Sequence, residues 1–312
     1  MKNKLLATMA IFGMVASASA VKINNNLSIN GFLDGSYVLT DTKGADKQQF
    51  QSDEAELDFI LSNGPVSGAI HLDSHKIGGA PDFDIEQAHF TYDLGNGVSF
   101  TFGRYGSALG FEREDPAGLY TYSRAYEDGN GSNLGNVDAL ANEGLRIAYS
   151  ADQFTIAASF QNPRGSDLES NDLDLELSVT YTGIADTVIG GGFFFDNEET
   201  TQKEENIVNV HASRTFGKLL LAAEYLQKQS EDTAVGDRDA YLVLADYDYN
   251  DKIGVAIRLS KEEIAANNDY EKLTIAPNYS FTDNLGAILE FSDIEVNNVD
   301  SNQVAVELTY TF

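Results

Sequence analysis

The chain has 312 residues, of which 42% are hydrophobic, and its 49 Asp or Glu against 20 Lys or Arg give a net charge of −29 at pH 7. This acidity argues against nucleic-acid binding, because phosphate contacts need clustered Lys and Arg. The sequence has no cysteine, which excludes disulfide bonds, so a sheet or a core must hold a chain of this size together.

Residues 1–20 predict a cleaved export signal. Lys2 and Lys4 precede an apolar run at residues 5–15, and small residues at 18–20 provide a cleavage site. The apolar run is too short to cross a bilayer as a helix, which argues against the alternative of an uncleaved anchor. Cleavage would leave 312 − 20 = 292 residues, numbered 21–312, with a charge of (20 − 2) − 49 = −31.

The remaining sequence predicts an all-β chain of about sixteen strands. Apolar and polar residues alternate, and successive side chains of a strand point to opposite faces, so each predicted strand has an apolar and a polar face. The predicted strands are 27–40, 50–61, 65–73, 84–94, 98–104, 142–150, 153–161, 172–182, 187–196, 204–216, 219–228, 238–249, 253–261, 270–281, 285–293 and 301–312.

The connections between these strands alternate in length. Every second connection is short, while the others are longer and rich in Asp, Asn, Glu and Ser. Bacterial outer-membrane barrels have an even strand number, short periplasmic turns and longer extracellular loops, whereas a soluble sandwich has no reason to sort its connections in this way. The sequence therefore predicts a transmembrane antiparallel β-barrel. Sixteen strands lie in the range that encloses an aqueous channel.

The polar face of each predicted strand should line the lumen, because a charged side chain facing lipid costs a few kcal/mol at mid-membrane. The predicted pore-wall residues are Glu56, Asp58, Asp174, Glu176, Asp246, Asp248, Arg146, Arg258 and, near a strand end, Arg104. Further acids on this face are Asp73, Asp93, Glu224, Glu290 and Glu307. Acids outnumber bases on the inward face, which predicts a preference for cations.

Two predicted strands depart from the alternation. Residues 219–226 are apolar on both faces, and three consecutive glycines occupy positions 190–192. A subunit contact and an internal plug would both account for such departures. Pro277 lacks a donor for the ladder and predicts a local irregularity in its strand.

The longest connection, residues 105–141, is the candidate constriction loop. A loop of this length without regular structure is usually functional or disordered. Its charged residues, interleaved with tyrosines, are Glu112, Arg113, Glu114, Asp115, Arg124, Glu127 and Asp128. If it folds into the lumen, Glu112, Glu114 and Asp115 should dominate selectivity, opposite Arg146 or Arg258. The alternative is a loop that folds outward over the surface.

The last predicted strand places Tyr310 and Phe312 on its apolar face. A terminal aromatic residue on such a strand resembles the C-terminal signal of Gram-negative outer-membrane barrels, in which the last residue is typically Phe. The resemblance implies that Phe312 and Tyr310 form the signal for the barrel assembly machinery.

The chain after residue 20 resembles a sixteen-stranded porin, and residues 100–126 with 142–150 further resemble the putative β-barrel porin-2 (OmpL-like) family. Gly103, Arg104 and the run at 109–112 carry this second likeness. The resemblance implies a channel in the outer membrane for passive diffusion of ions and small hydrophilic solutes. It also implies a homotrimer surrounded by outer-membrane lipid and lipopolysaccharide. The chain departs from archetypal trimeric porins in lacking an arginine ladder.

Other candidate sites are weaker. The spacing of His71, Asp73, His75, Asp82 and Asp84 matches no standard set of metal ligands, and no metal site or cofactor is predicted. Residues 246–257 imitate an EF-hand loop but lack its Gly and its final Glu.

A hydrolase would need His211, Ser213 and an acid such as Glu224 in contact. Side chains two residues apart on a strand are roughly 6–7 Å apart, which is too far for direct proton transfer, so no enzyme is predicted. The functional hypotheses are therefore a diffusion porin, a closed barrel serving as adhesin or structural anchor, and, last, a hydrolase.

Overall fold

The computed structural model describes residues 20–42, 45–75, 84–113, 115–126, 142–163, 173–197, 204–231, 236–264 and 269–312. A two-residue strand, β1 (Val21–Lys22), precedes sixteen longer strands. These are β2 (Leu27–Thr42), β3 (Ala45–Asn63), β4 (Val66–His75), β5 (Asp84–Gly95), β6 (Val98–Tyr105), β7 (Asn142–Ser150), β8 (Phe154–Gln161), β9 (Asp174–Tyr181), β10 (Thr187–Phe195), β11 (Glu205–Phe216), β12 (Leu219–Ser230), β13 (Arg238–Asn250), β14 (Ile253–Ile264), β15 (Tyr270–Ser280), β16 (Leu285–Val296) and β17 (Val299–Thr311). In the described residues, no helix is long and apolar enough to span a membrane. Residues 1–19 of the predicted export signal lie outside the described residues.

The sixteen strands close into one antiparallel barrel. Each of β2 to β16 pairs with the next strand, and β17 pairs back with β2 from Ser301↔Thr42 to Thr311↔Phe32. At this seam Phe312 N donates to Gly31 O at 3.0 Å, and Gly31 N donates to Phe312 O at 3.1 Å. Hydrogen bonding all around the sheet leaves no free edge, as a membrane-spanning sheet requires. The predicted fold is confirmed.

The outward face of the barrel is apolar and includes a set of aromatic side chains near the short connections. Leu259 and Leu273 are exposed on this face, while Arg258 and Thr274, the residues next to them in sequence, are buried inside. We call the end of the barrel with the short connections the turn rim, and the opposite end the loop rim. Exposed aromatic residues within a few positions of the turn rim are Tyr149, Phe154, Tyr181, Phe216, Tyr247, Tyr249, Tyr279, Phe281 and Tyr310. Such a girdle marks a membrane–water interface.

Strand ends at the loop rim reach further than the sequence predicts. Residues 45–49 belong to β3 and residues 294–296 to β16, although both stretches were predicted to lie in loops. The β16–β17 connection is a tight turn in which Asn297 and Asn298 have positive φ angles of 55° and 63°. A strand that projects beyond the bilayer needs no apolar face, so the alternation that signals a strand is lost there while the pairing continues.

The predicted irregularity at Pro277 is present. Between β15 and β16 the ladder runs to Ile275↔Phe291 and resumes at Asn278↔Ile288 in the same register. The gap contains Pro277, which has no N–H to donate to the ladder.

Candidate functional site

The described part of the long connection, residues 106–113 and 115–126, crosses the interior of the barrel. Near its start, Ala108 N donates to Glu176 Oε1 on β9 at 3.0 Å. Further on, Ser123 N donates to Glu290 Oε2 on β16 at 3.0 Å. Because β9 and β16 lie seven strands apart in a ring of sixteen, these anchors are on nearly opposite walls. We call this part of the connection the crossing segment.

The crossing segment packs on an apolar patch inside the barrel. Leu109, Ala125 and Tyr126 are buried against inward-facing residues of β10 to β13, namely Phe194, Ile207, Ala222, Leu226, Ala240, Leu242 and Leu244. The inner apolar face of β12, which is unusual for a barrel with an aqueous lumen, therefore contacts the segment rather than water. A Cβ on Gly192 would lie 2.9 Å from Leu109 Cδ2 and 1.9 Å from Leu177 O, so this glycine permits the close approach. The structure thus favours the internal-plug explanation for both departures from the alternation.

Glu112 anchors the crossing segment to the wall. Its Oε1 lies 2.7 Å from Arg258 Nη1 on β14, and its Oε2 accepts a hydrogen bond from Ala125 N at 2.7 Å. Arg258 also donates to Thr121 Oγ1 at 2.7 Å and to the backbone oxygen of Ser123 at 2.7 Å. The side chains of Arg258 and Glu112 are 0% and 3% exposed. Glu112 was predicted to lie opposite Arg146 or Arg258 across a constriction, but the Glu112 and Arg258 side chains are in direct contact, with no space between them.

Arg146 holds the start of the crossing segment. Its Nη2 donates to Gly106 O at 2.7 Å and lies 3.3 Å from Glu176 Oε1, and its guanidinium carbon is 4.4 Å from the centre of the Tyr105 ring. Glu176 in turn accepts hydrogen bonds from Ser107 Oγ and Ala108 N. The predicted wall residues Arg146 and Glu176 therefore work as one attachment point.

Other predicted loop residues bond within the segment or approach the wall. Arg113 Nη1 donates to Ala108 O at 3.3 Å, and Arg124 Nη1 donates to Glu112 O at 2.7 Å. Asp115 approaches strand β3, where carboxylate oxygens of Glu54, Glu56 and Asp115 lie within 4.8 Å of one another. Three further predicted loop residues, Glu114, Glu127 and Asp128, lie outside the described residues.

The wall predictions need one correction, at Arg104. The neighbouring Thr101 and Tyr105 are buried inside, so Arg104 lies on the outward side of β6, where its side chain is 36% exposed and 3.7 Å from Glu143.

Asp174 is fully buried and its Oδ1 accepts from Asn197 N at 3.1 Å. Asp246 is half-buried and Asp248 is exposed near the turn rim, so these two acids lie at one mouth of the barrel.

Two tyrosines of the crossing segment contribute neutral hydroxyl groups. Tyr122 OH accepts from Ser36 Oγ on β2 at 3.2 Å, and Tyr126 OH donates to Glu224 Oε2 on β12 at 3.3 Å. Burial raises the pKa of Tyr122 to about 12 and raises the pKa of Tyr126 well above its usual value. Both hydroxyls therefore stay protonated at neutral pH and add no charge.

Buried charges in the described residues are unequal in number. There are eleven buried carboxylates against five buried Lys or Arg side chains. Ion pairs join Arg146 to Glu176, Lys228 to Glu205, Arg238 to Glu262 and Arg258 to Glu112. The sequence interpretation did not assign Lys228, Arg238 and Lys272 to the interior, although all three share the inward side with residues that it did assign.

Five of the buried acids gather on one wall. Asp34, Glu56, Asp58, Asp73 and Glu307 are buried on the inner side of β2, β3, β4 and β17. Strands β2 to β5 and β17 contain no Arg and a single Lys, Lys47, which is exposed at the loop rim. We call this surface the acidic wall.

A closed sixteen-stranded barrel with an internal segment defines a porin-like outer-membrane protein. The model of the putative beta-barrel porin-2, OmpL-like family (BBP2) matches residues 43–311. The chain therefore belongs to this family. No curated protein matches the sequence.

Solved structures of porins share the fold at low sequence identity. The anion-selective porin from Comamonas acidovorans is 12% identical, with a TM-score of 0.70 over 92% of this chain and 99% of that one. Salmonella typhi OmpF, in complex with daunomycin, is 15% identical, with a TM-score of 0.75 over 94% of this chain and 100% of that one. A trimer form of Vibrio cholerae OmpT, folded in vitro, is 15% identical, with a TM-score of 0.62 over 92% of this chain and 100% of that one.

Proposed function

We propose that the protein is an outer-membrane porin that forms a water-filled channel for passive diffusion of ions and small hydrophilic solutes, with a preference for cations. The acidic wall is the observation that supports this proposal most strongly. Solutes would pass along it, because the crossing segment buries its apolar side chains against β10 to β13 and reaches the acidic wall mainly with polar side chains such as Tyr122 and Asp115. The narrowest acidic point would be where Asp115 meets Glu54 and Glu56.

The cation preference follows from the uneven distribution of charge. Rings and patches of carboxylates raise the local concentration of cations in a pore. Their field is screened over about 8 Å at physiological salt, so the preference should be modest where the lumen is wide and stronger beside the crossing segment. The neighbour from Comamonas acidovorans is described as anion-selective, but at 12% identity the likeness concerns the fold alone. Selectivity depends on side chains, which the two chains largely do not share.

A closed barrel acting as an adhesin or structural anchor is the second candidate. It is favoured by the crossing segment, which joins opposite walls and buries its apolar side chains against β10 to β13. Planar-bilayer recording of the purified full chain separates the two candidates. The porin proposal expects stepwise, long-lived currents, whereas a folded protein that inserts and stays silent would support the closed barrel and refute the porin.

We also propose that the chain has no catalytic activity. His211 Nδ1 lies 3.1 Å from Asn209 Oδ1. Glu224 accepts hydrogen bonds from Asn209 Nδ2 at 2.8 Å and from Phe111 N at 2.7 Å. The acid of the hydrolase hypothesis is thus bound to the crossing segment. Ester hydrolysis abolished by Ser213→Ala would contradict this proposal.

The cellular setting is proposed on the same basis. Residues 1–20 would direct export, the long connections would face the outside, and Phe312 with Tyr310 would be recognised by the barrel assembly machinery. The barrel would contact outer-membrane lipid and lipopolysaccharide through its apolar outer face. A homotrimer is supported by the trimeric form of the structural neighbour from Vibrio cholerae. Cross-linking in intact membranes tests this assembly, and a protein that remains monomeric would refute it.

A further inference from the structure

A histidine surrounded by three carboxylates lies in the acidic wall. His71 Nδ1 on β4 is 2.8 Å from Glu56 Oε1 and 2.9 Å from Asp58 Oδ1, both on β3. It is 4.0 Å from Glu86 Oε2 on β5. The exposed fractions of these four side chains are between 2% and 9%. None of them contributes to the attachment points of the crossing segment described above.

A β-bulge brings Glu86 into this group. The β4–β5 register shifts between His71↔Gln87 and Leu72↔Ile85, which leaves Glu86 as the extra residue. In a regular strand Glu86 and Gln87 would point to opposite faces, but here both side chains are largely buried. Arg104 Nε donates to the backbone oxygen of Glu86 at 2.8 Å and so supports the bulge. Bulges of this kind re-aim a side chain, often beside a functional site.

The group has an excess of negative charge. One imidazole, even when protonated, cannot balance three carboxylates, and β2 to β5 carry no Arg and a single, exposed Lys. Like charges held together in a poorly solvated site repel strongly. In addition, the buried Asp58 Oδ1, which faces His71 Nδ1, accepts no hydrogen bond among the described residues. A cation at this place would relieve the repulsion.

The spacing of the donor atoms suits one metal ion. Two ligand atoms each about 2.1 Å from a metal and at right angles to each other lie about 3.0 Å apart, and wider angles increase the separation. The observed separations of 2.8, 2.9 and 4.0 Å from His71 Nδ1 fall close to this pattern. Ligand atoms of Glu56, His71 and Glu86 all lie within 4.8 Å of one another. One imidazole with carboxylates favours a divalent transition metal such as Zn²⁺ over Mg²⁺ or Ca²⁺, which prefer oxygen ligands alone.

We propose that His71, Glu56, Glu86 and Asp58 form a binding site for a divalent transition-metal ion in the wall of the lumen. The site differs from the set weighed on sequence grounds, because its partners come from neighbouring strands rather than from the chain around His71. Of that earlier set, Asp84 is exposed and Asp73 is buried nearby, while the side chain of His75 and the whole of Asp82 are outside the described residues.

The test is a titration of the full, detergent-folded chain with Co²⁺, purified without an oligohistidine tag. Visible absorption of Co²⁺ reports its ligands, and Zn²⁺ is then added as a competitor. The titration measures metal binding and not ion current. A protein that binds Co²⁺ but conducts no ions would therefore still support this proposal, even if the porin proposal failed. His71→Gln and Glu86→Gln each remove one ligand, and His211→Gln is the matched control, since His211 also lies inside the barrel but beside Asn209.

We expect saturable binding of about one Co²⁺ per chain, displaced by Zn²⁺. His71→Gln and Glu86→Gln should each weaken it by at least about tenfold, because even the loss of an outer-shell partner commonly costs that much. His211→Gln should leave the affinity unchanged. If His71→Gln does not fold, the affinity of Glu86→Gln is compared with that of His211→Gln. Glu86→Gln is the milder change, because Glu86 is the extra residue of a bulge. Unsaturable binding to the unmodified chain, or equal affinities for Glu86→Gln and His211→Gln, would overturn the proposal.

Discussion

Glu112→Gln is the substitution that should most directly release the crossing segment. It replaces a carboxylate that is ion-paired to Arg258 at 2.7 Å while preserving the size of the side chain. Removing one partner of a buried ion pair costs about 3–5 kcal/mol, because the other charge stays buried without compensation. At 1.4 kcal/mol per factor of ten, the equilibrium between the attached and the detached segment should shift by roughly 140- to 4,000-fold.

Single-channel recording measures this release. Detachment widens the lumen, so Glu112→Gln should show higher mean conductance and more frequent transitions between current levels than the unmodified protein. The matched control is Glu262→Gln. Glu262 pairs with Arg238 at 3.2 Å with exposed fractions of 0% and 1%, but both partners belong to adjacent strands of the wall. Equal conductance and equal noise in Glu112→Gln and the unmodified protein would refute the anchoring role of Glu112.

Further predictions concern the crossing segment and the seam. Deleting residues 108–136 should raise conductance, and an unchanged conductance in a folded variant would contradict a lumenal position. Leu109→Ala should weaken the apolar packing by about 2–5 kcal/mol and speed proteolysis of the connection, whereas Leu221→Ala on the outward face should not. Phe312→Asp should lower the amount of protein in the outer membrane without affecting export, because it removes the terminal aromatic residue at the seam. Normal levels that resist extraction by urea would argue against that role.

The barrel could be predicted because its rules are local. Alternation in segments such as residues 253–261 assigns each side chain to lipid or lumen without knowledge of the partner strand. The same rule assigns Arg146 and Arg258 to the inner wall, where both are found. It failed at strand ends such as residues 45–49, which lie at the loop rim and have no apolar face. At Arg104 the outward side chain lies at the loop rim, where a charge no longer faces hydrocarbon.

Contacts between distant parts of the chain could not be predicted in this way. Nothing in the residues around Glu112 indicates that it meets Arg258, 146 positions later, rather than water. The double apolar face of residues 219–226 was a visible signal, but its partner Leu109 lies more than 100 positions earlier. The bulge at Glu86 also has no local signature, since it depends on the register between β4 and β5. By contrast, extending the alternation along their strands would have assigned three further bases to the interior, namely Lys228, Arg238 and Lys272.

The central claim, that solutes pass along the acidic wall, is tested most directly by the reversal potential of the channel in a KCl gradient. The account predicts a cation-selective sign for the unmodified protein. Replacing Asp34, Asp73 and Glu307 with their amides should move the potential toward zero, while Glu262→Gln, which changes an acid on another wall beside Arg238, should move it less. An anion-selective potential in the unmodified protein would contradict the claim, even if the barrel and its crossing segment stood unchanged.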